Sequence, residues 1–246
     1  MKAVLMRNMI IASTSTLHGE SHLEYLLPIV KDRLREVDCN EILFVPYARP
    51  SGISHEAYTE IIKNIFNAID VAVIGLDESI DKIAEIERAK AIYVGGGNTF
   101  VLVKKIQELS LISALRKRIY EGAFYLGTSA GSNICGLTMG TTNDMPVVLP
   151  STLKTMGAIG YNINAHYLDP DRSSQHMGET RETRIKEFHV YNHIPVVGLR
   201  EGSFIDVLGK DEALKGKLHA RIFRKDEDPI EVPPEYNFNK LSNHIL

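Results

Sequence analysis

The chain alternates short apolar runs with longer segments whose apolar residues recur at helical spacing. Ala3–Ile11 reads as a first buried strand and Ser13–Gly19 as a polar turn. Ser21–Arg35 reads as a helix, with Leu23, Leu26, Leu27, Val30 and Leu34 near helical spacing and Pro28 as a kink. EILFVP at Glu41–Pro46 is a second strand. Ala57–Ala68 is a helix with Tyr58, Ile61, Ile62, Ile65 and Phe66 on one side. The alternation continues with strands at Asp70–Gly75, Ala91–Val94 and Ala123–Gly127. Helices are expected at Ile80–Ala89, Phe100–Leu109 and Leu111–Glu121. Apolar strands separated by helices imply an α/β fold: a mostly parallel sheet covered by helices on both faces, in three α/β/α layers. Right-handed crossovers would join the strands.

The second half is less regular. Thr141–Leu149, Ala158–Ile163, Pro195–Leu199 and Ser203–Leu208 read as strands or extended segments, and Thr180–Val190 as a charged helix. His219–Arg224 reads as a late edge strand. With no internal repeat or low-complexity linker, residues 1–246 are expected to form one α/β domain with an irregular C-terminal extension.

Composition narrows the function. The chain of 246 residues is long enough for one sizeable core. Its 28 basic and 31 acidic residues leave a net charge of −3, so nothing global attracts nucleic acid. Two cysteines, Cys39 and Cys135, are too few for a disulfide framework and read as buried thiols. No C-x-x-C or H-E-x-x-H spacing occurs, so neither a metal nor another cofactor is expected. The apolar N-terminal run is broken by Arg7 and Asn8, and no stretch of 18 apolar residues follows. A cytoplasmic protein without a membrane partner is expected. Monomer and homodimer both remain open.

The clearest chemical feature is Gly127–Thr128–Ser129–Ala130–Gly131, a G-x-S-x-G motif between the strand Ala123–Gly127 and a helix starting near Gly131. Flanking glycines let a strand turn at once into a helix, which presents Ser129 at the helix N-terminus. Two readings follow: a serine that caps the helix, or a nucleophile beside the Ala130 N–H. A second glycine-rich turn, Gly95–Gly96–Gly97–Asn98–Thr99, also leaves a strand end. It offers either an anion cradle or a second oxyanion donor beside Ser129. Of the nine histidines, His166 in INAHYLD is the first candidate for the base. His176, His189, His193 and His219 compete with it. Asp144, before Met145–Pro146, and Glu201, after the VVGL strand and before Gly202, both sit at junctions after the serine; they are the candidates for the orienting carboxylate, and spacing does not separate them.

Several ordered blocks carry a resemblance over nearly the whole chain. They are STSTLHG at 13–19, VGGGNTF at 94–100, GTSAGSN at 127–133, TTNDMP at 141–146, INAHY at 163–167 and GETRETRIKEF at 178–188. In these blocks the sequence resembles the peptidase E, or α-aspartyl dipeptidase, family of serine peptidases. That resemblance implies a sheet and nucleophile turn similar to those of class I glutamine amidotransferases. It implies a small peptide substrate with an N-terminal aspartate. It further implies Ser129 as nucleophile, His166 as base, and Asp144 or Glu201 as the orienting acid. Gly97 and Ala130 would form the oxyanion hole, and Arg181 would receive the aspartate carboxylate. The chain departs from the family pattern at Thr128, where Trp is frequent, and at His18 and Arg200, where Pro is frequent. A related peptidase or amidase acting on another acidic or amide substrate is the first alternative. A non-catalytic anion-binding protein is the second.

Overall fold

The computed structural model describes residues 6–49, 52–170 and 178–242. The elements run β1 (Asn8–Ala12), α1 (Leu27–Glu36), β2 (Glu41–Val45), α2 (His55–Asn67), β3 (Ala72–Gly75), α3 (Lys82–Arg88) and β4 (Ala91–Val94). They continue with α4 (Thr99–Glu108), α5 (Ile112–Tyr120), β5 (Phe124–Thr128), α6 (Ala130–Asn133), β6 (Asn162–Ala165), α7 (Arg181–Tyr191) and β7 (Val196–Leu199). The last are β8 (Ser203–Leu208), β9 (Asp211–Gly216), β10 (Ala220–Phe223), β11 (Ile230–Val232) and α8 (Asn239–Ser242).

Seven strands form one sheet in the order β3-β2-β4-β5-β1-β8-β9. The first five are mutually parallel, and β8 and β9 add antiparallel on the β1 side. Alternation along each strand sorts its side chains onto two faces. Ile10, Ile42, Phe44, Tyr93, Phe124 and Leu126 meet Val30 and Leu34 of α1 and Ile62 and Phe66 of α2. Met9, Ile11, Leu43, Val45, Ile92 and Tyr125 face the other way, toward Ile86 of α3, Leu102 and Ile106 of α4, and Leu115 and Ile119 of α5. Both faces are covered, which is why these strands read as unbroken apolar runs. The expected three-layer α/β architecture is present.

Three differences from the sequence-based reading have local causes. Pro28 does not kink a helix: the segment before it forms turns, and α1 begins with the proline in its first turn, where a missing N–H costs nothing. Thr141–Leu149 is an irregular loop rather than a strand. Its backbone is held by side chains, with Asn164 Nδ2 donating to Thr141 O at 2.7 Å and Asn143 Nδ2 donating to Ala165 O at 2.7 Å. His219–Arg224 contains β10, which is internal to a second sheet of order β11-β10-β7-β6 and not an edge. In that sheet β6 and β7 are parallel. One of its faces (Ile163, Val197, Leu199, Ile222) joins the core of the α3–α5 side, while Tyr167, Val196 and Phe223 pack with Ile185 of α7.

The two cysteines differ. Cys135 is fully buried, and burial pushes its thiol far above the ordinary range, whereas Cys39 is partly exposed. No helix among the described residues is long and apolar enough to cross a membrane.

The turn after β1 carries a half-buried histidine. His22 Nδ1 lies 3.2 Å from Thr16 Oγ1, and Nε2 is buried without a partner. Burial first, and the charge of Arg49 second, push its pKa down to about 4. The folded imidazole therefore stays neutral where the unfolded one takes up a proton. Stability from this group is complete above about pH 6.5 and is lost as the pH falls toward 4, by up to about 3 kcal/mol. Urea unfolding at pH 7 and pH 4.5 measures that loss. His22→Gln is expected to flatten the difference, and an unchanged slope would assign the acid sensitivity elsewhere.

Candidate active site

The parallel strands of the main sheet point their carboxyl ends toward one rim, where open α/β sheets build their sites. β1, β4 and β5 end there in Ser13, Gly95–Asn98 and Ser129. Ser129 has φ 53° and ψ −108°, a conformation that a non-glycine residue rarely holds. The turn is secured from both sides. Ser129 N donates to Ala12 O at 3.1 Å, and the Ser132 hydroxyl lies between Ala12 O and Gly127 O, at 2.6 and 2.8 Å, where its one hydrogen serves either carbonyl. At Gly131 an added Cβ would stand 2.1 Å from Val94 O, so only glycine lets α6 sit directly on β4. The helix that follows is a single turn.

The Ser129 side chain makes no capping hydrogen bond to α6. Its Oγ lies 2.8 Å from His166 Nε2. His166 Nδ1 in turn lies 2.6 Å from Glu201 Oε1. A carboxylate only accepts, so Nδ1 carries the hydrogen and Nε2 is left to accept from the serine hydroxyl. The pairing follows from the second sheet. In the parallel β6–β7 register Ala165 stands opposite Leu199, so His166 and Glu201 leave the same ends of neighbouring strands. His166 also holds a positive φ of 55°. Its N–H donates to Ser13 Oγ at 2.9 Å, and that hydroxyl donates to Leu199 O at 2.6 Å. One buried serine therefore joins β1, the histidine turn and β7.

Asp144 stands elsewhere. Its Oδ2 accepts from Thr99 N at 2.7 Å, Thr99 Oγ1 at 2.6 Å and Thr142 Oγ1 at 2.9 Å, and none of its hydrogen bonds goes to His166. It thereby ties the loop after residue 140 to the first turn of α4, where the helix dipole favours a negative charge.

The Gly95–Gly97 turn abuts Ser129: a Cβ on Gly96 would stand 3.2 Å from Ser129 Cβ. Gly97 has φ +146°, and an added Cβ would fall 2.2 Å from Ala48 O, so both its conformation and its packing demand glycine. Among the described residues the N–H groups of Gly97 and Ala130 donate no hydrogen bond. Backbone N–H groups without an acceptor, on turns that meet at a serine, are the kind of donor an oxyanion needs.

Arg181 is the first residue of α7, an unfavourable place for a cation by the helix dipole. Its Nη1 is buried without a hydrogen-bond partner among the described residues. Burial, then the charge of Arg184, holds the guanidinium below its ordinary pKa, while Glu201, Asp144 and Tyr167 pull it back up. A half-buried cation with an unused donor is a receptor for an anion. The histidines that compete with His166 have other surroundings where the structure describes them. His189 is buried with Nε2 on Ile194 O at 3.0 Å, His193 and His219 are exposed, and His176 lies outside the described residues. Thr128 is fully buried, with Oγ1 3.2 Å from the Tyr93 hydroxyl, so it faces the interior of the sheet.

Hydroxyl, imidazole and carboxylate in hydrogen-bonded series on a strand-to-helix turn of a three-layer α/β fold have the geometry of serine-type hydrolases. The family comparison narrows that class. The model of peptidase family S51 matches residues 9–214, and the chain belongs to that family. Peptidase E of Streptomyces coelicolor is 40% identical over 95% of this chain and 94% of its own length. A Drosophila melanogaster protein named "Probable alpha-aspartyl dipeptidase" is 38% identical over 93% and 94%. Peptidase E of Salmonella typhimurium is 34% identical over 94% and 99%. Among solved structures, a peptidase from an acI-B1 actinobacterium superposes with a TM-score of 0.62 at 13% identity. The match covers 95% of this chain and 97% of that one, and it supports the fold alone.

Proposed function

We propose that this chain is a serine dipeptidase that hydrolyses Asp-X peptides, with Ser129 as nucleophile and His166 as base. The observation that carries the reading is the unbroken series from Ser129 Oγ through His166 to Glu201. The name of the Drosophila relative, "Probable alpha-aspartyl dipeptidase", points to the same substrate class, and the relatives named Peptidase E point to peptide hydrolysis. His166 Nε2 takes the hydroxyl proton as Oγ attacks the peptide carbonyl. The oxyanion that forms is received by the N–H groups of Gly97 and Ala130. Glu201 stabilises the imidazolium and holds its tautomer. The imidazolium then protonates the leaving amine, and water, activated by the same nitrogen, releases the aspartyl group from Ser129. Each oxyanion donor contributes about 3–4 kcal/mol to the transition state.

Arg181 supplies the preference for aspartate. Its buried Nη1 has no acceptor among the described residues, and a substrate β-carboxylate completes it. The test is a panel of Asp-X, Glu-X, β-aspartyl and neutral dipeptides assayed with wild type and Arg181→Ala. Wild type is expected to prefer Asp-X. The variant is expected to lose roughly a hundredfold in kcat/KM on Asp-X, the weight of one charged hydrogen bond, and much less on neutral dipeptides. Equal losses on both would reject the specificity role.

A further inference from the structure

Glu201 is an unusual place for an orienting acid: its side chain is 49% exposed, and it opens a turn that continues into Gly202 at φ 86°. An exposed carboxylate on a turn needs something to hold its backbone against the histidine. The residue before it does this. Arg200 Nε and Nη2 donate to Asp169 Oδ2 and Oδ1 at 2.9 and 2.7 Å, a two-point fork. Nη1 and Nη2 donate to Glu231 Oε2 and Oε1 at 2.9 and 3.0 Å, a second fork, and Nη1 also donates to His219 O at 2.7 Å. These bonds use all five N–H groups of the guanidinium. The planar group lies over the Tyr167 ring, 5.4 Å from its centroid, and Tyr167 N donates to Leu199 O at 3.1 Å.

The partners matter because of where they sit. Asp169 is three residues beyond His166, and Arg200 immediately precedes Glu201. The bonds therefore close a ring: His166 to Asp169 along the chain, Asp169 to Arg200 through the fork, Arg200 to Glu201 along the chain, and Glu201 back to His166 Nδ1. Glu231 of β11 and the carbonyl of His219 anchor that ring to the far strands of the second sheet.

We propose that Arg200 is a positioning residue that fixes the Glu201 carboxylate on His166 Nδ1, a task no side chain of the reacting series performs for itself. Arg200 touches neither serine nor substrate and acts only through the His166–Glu201 contact. The inference rests on the proposed Ser129–His166–Glu201 series but not on the identity of the peptide. Its experiment is accordingly the acylation rate of Ser129 by a fluorophosphonate, with kcat and KM on Asp-X in parallel, well below each variant's melting temperature. Arg200→Ala is expected to slow acylation and kcat about tenfold while KM moves less than about twofold. In a Glu201→Gln background the same substitution is expected to add no further loss, because the contact it supports is already gone. Asp169→Asn, which blunts one fork and leaves the arginine in place, should reproduce the pattern at smaller size and serves if Arg200→Ala does not fold. An equal loss in both backgrounds, or no loss in either, overturns the proposal. Wild-type protein that is not labelled overturns the series on which it rests. Labelling of Ser129 without Asp-X turnover would overturn the substrate assignment instead, and the acylation rates would still decide the role of Arg200.

Discussion

Ser129→Ala is expected to lower turnover of Asp-X by roughly a million-fold, the scale at which removal of the nucleophile disables a serine hydrolase. The size follows from the chemistry. Without Oγ no acyl-enzyme forms, and neither the N–H pair at Gly97 and Ala130 nor the imidazole replaces the lost bond. What remains is the modest rate that an oxyanion hole and substrate binding alone sustain over water. The fold should tolerate the change, since the Ser129 side chain holds nothing in α6 and the turn is secured by backbone and by Ser132. A slight gain in stability is reasonable where a strained polar site loses a functional group. Active-site labelling with a fluorophosphonate, steady-state assay and thermal unfolding check the three parts together. A variant that keeps substantial turnover, or accepts the label at another serine, would remove Ser129 from the reaction.

Much of the main sheet is legible in the chain because burial on both faces leaves a simple record. ILFV, AIYV and FYLGT carry no charge and coincide with β2, β4 and β5 to within a residue or so. Ser129 and the glycine turn are legible for a related reason: a strand passing at once into a helix needs glycines at fixed offsets. The second sheet is not legible in this way. Ala158–Tyr161 is as apolar as a strand but is buried irregular chain, and β6 begins only at Asn162. Burial writes the same residues whether or not a ladder forms. The acid behind His166 was illegible for a different reason. Asp144 before Met145–Pro146 and Glu201 after VVGL look alike as junction carboxylates, and only the parallel pairing of β6 with β7 brings one of them beside the imidazole. That pairing joins positions 34 residues apart and leaves no local mark on either. The Arg200 forks are illegible for the same reason, since Asp169 and Glu231 are each 31 residues from the arginine.

The comparison of the two carboxylates has the next largest expected effect. Glu201→Gln keeps the shape of the side chain but removes the charge that stabilises the imidazolium, and its amide can present N–H where His166 needs an acceptor. The rate on Asp-X is expected to fall on the order of ten-thousand-fold, as it does when the orienting acid of a triad is neutralised. Stability should change little, because the group is half exposed and its one hydrogen bond is to the histidine. Asp144→Asn should show the opposite profile. The carboxylate there accepts from Thr99 N, Thr99 Oγ1 and Thr142 Oγ1 at the start of α4. An amide can set its oxygen where Oδ2 stands and keep these donors, but it removes the negative charge at the helix start and makes the charge-assisted bonds neutral ones. A loss of about 1–2 kcal/mol in unfolding free energy is expected, the usual weight of a helix N-terminal cap, with turnover kept within roughly tenfold. The two variants thus separate along different axes, rate for one and melting temperature for the other. If Asp144→Asn instead matches the rate loss of Glu201→Gln while Glu201→Gln stays active, the acid assignment reverses. The exposed turn at residue 201 would then be only a surface partner of the imidazole, and the ring closed by Arg200 would hold nothing that the reaction uses.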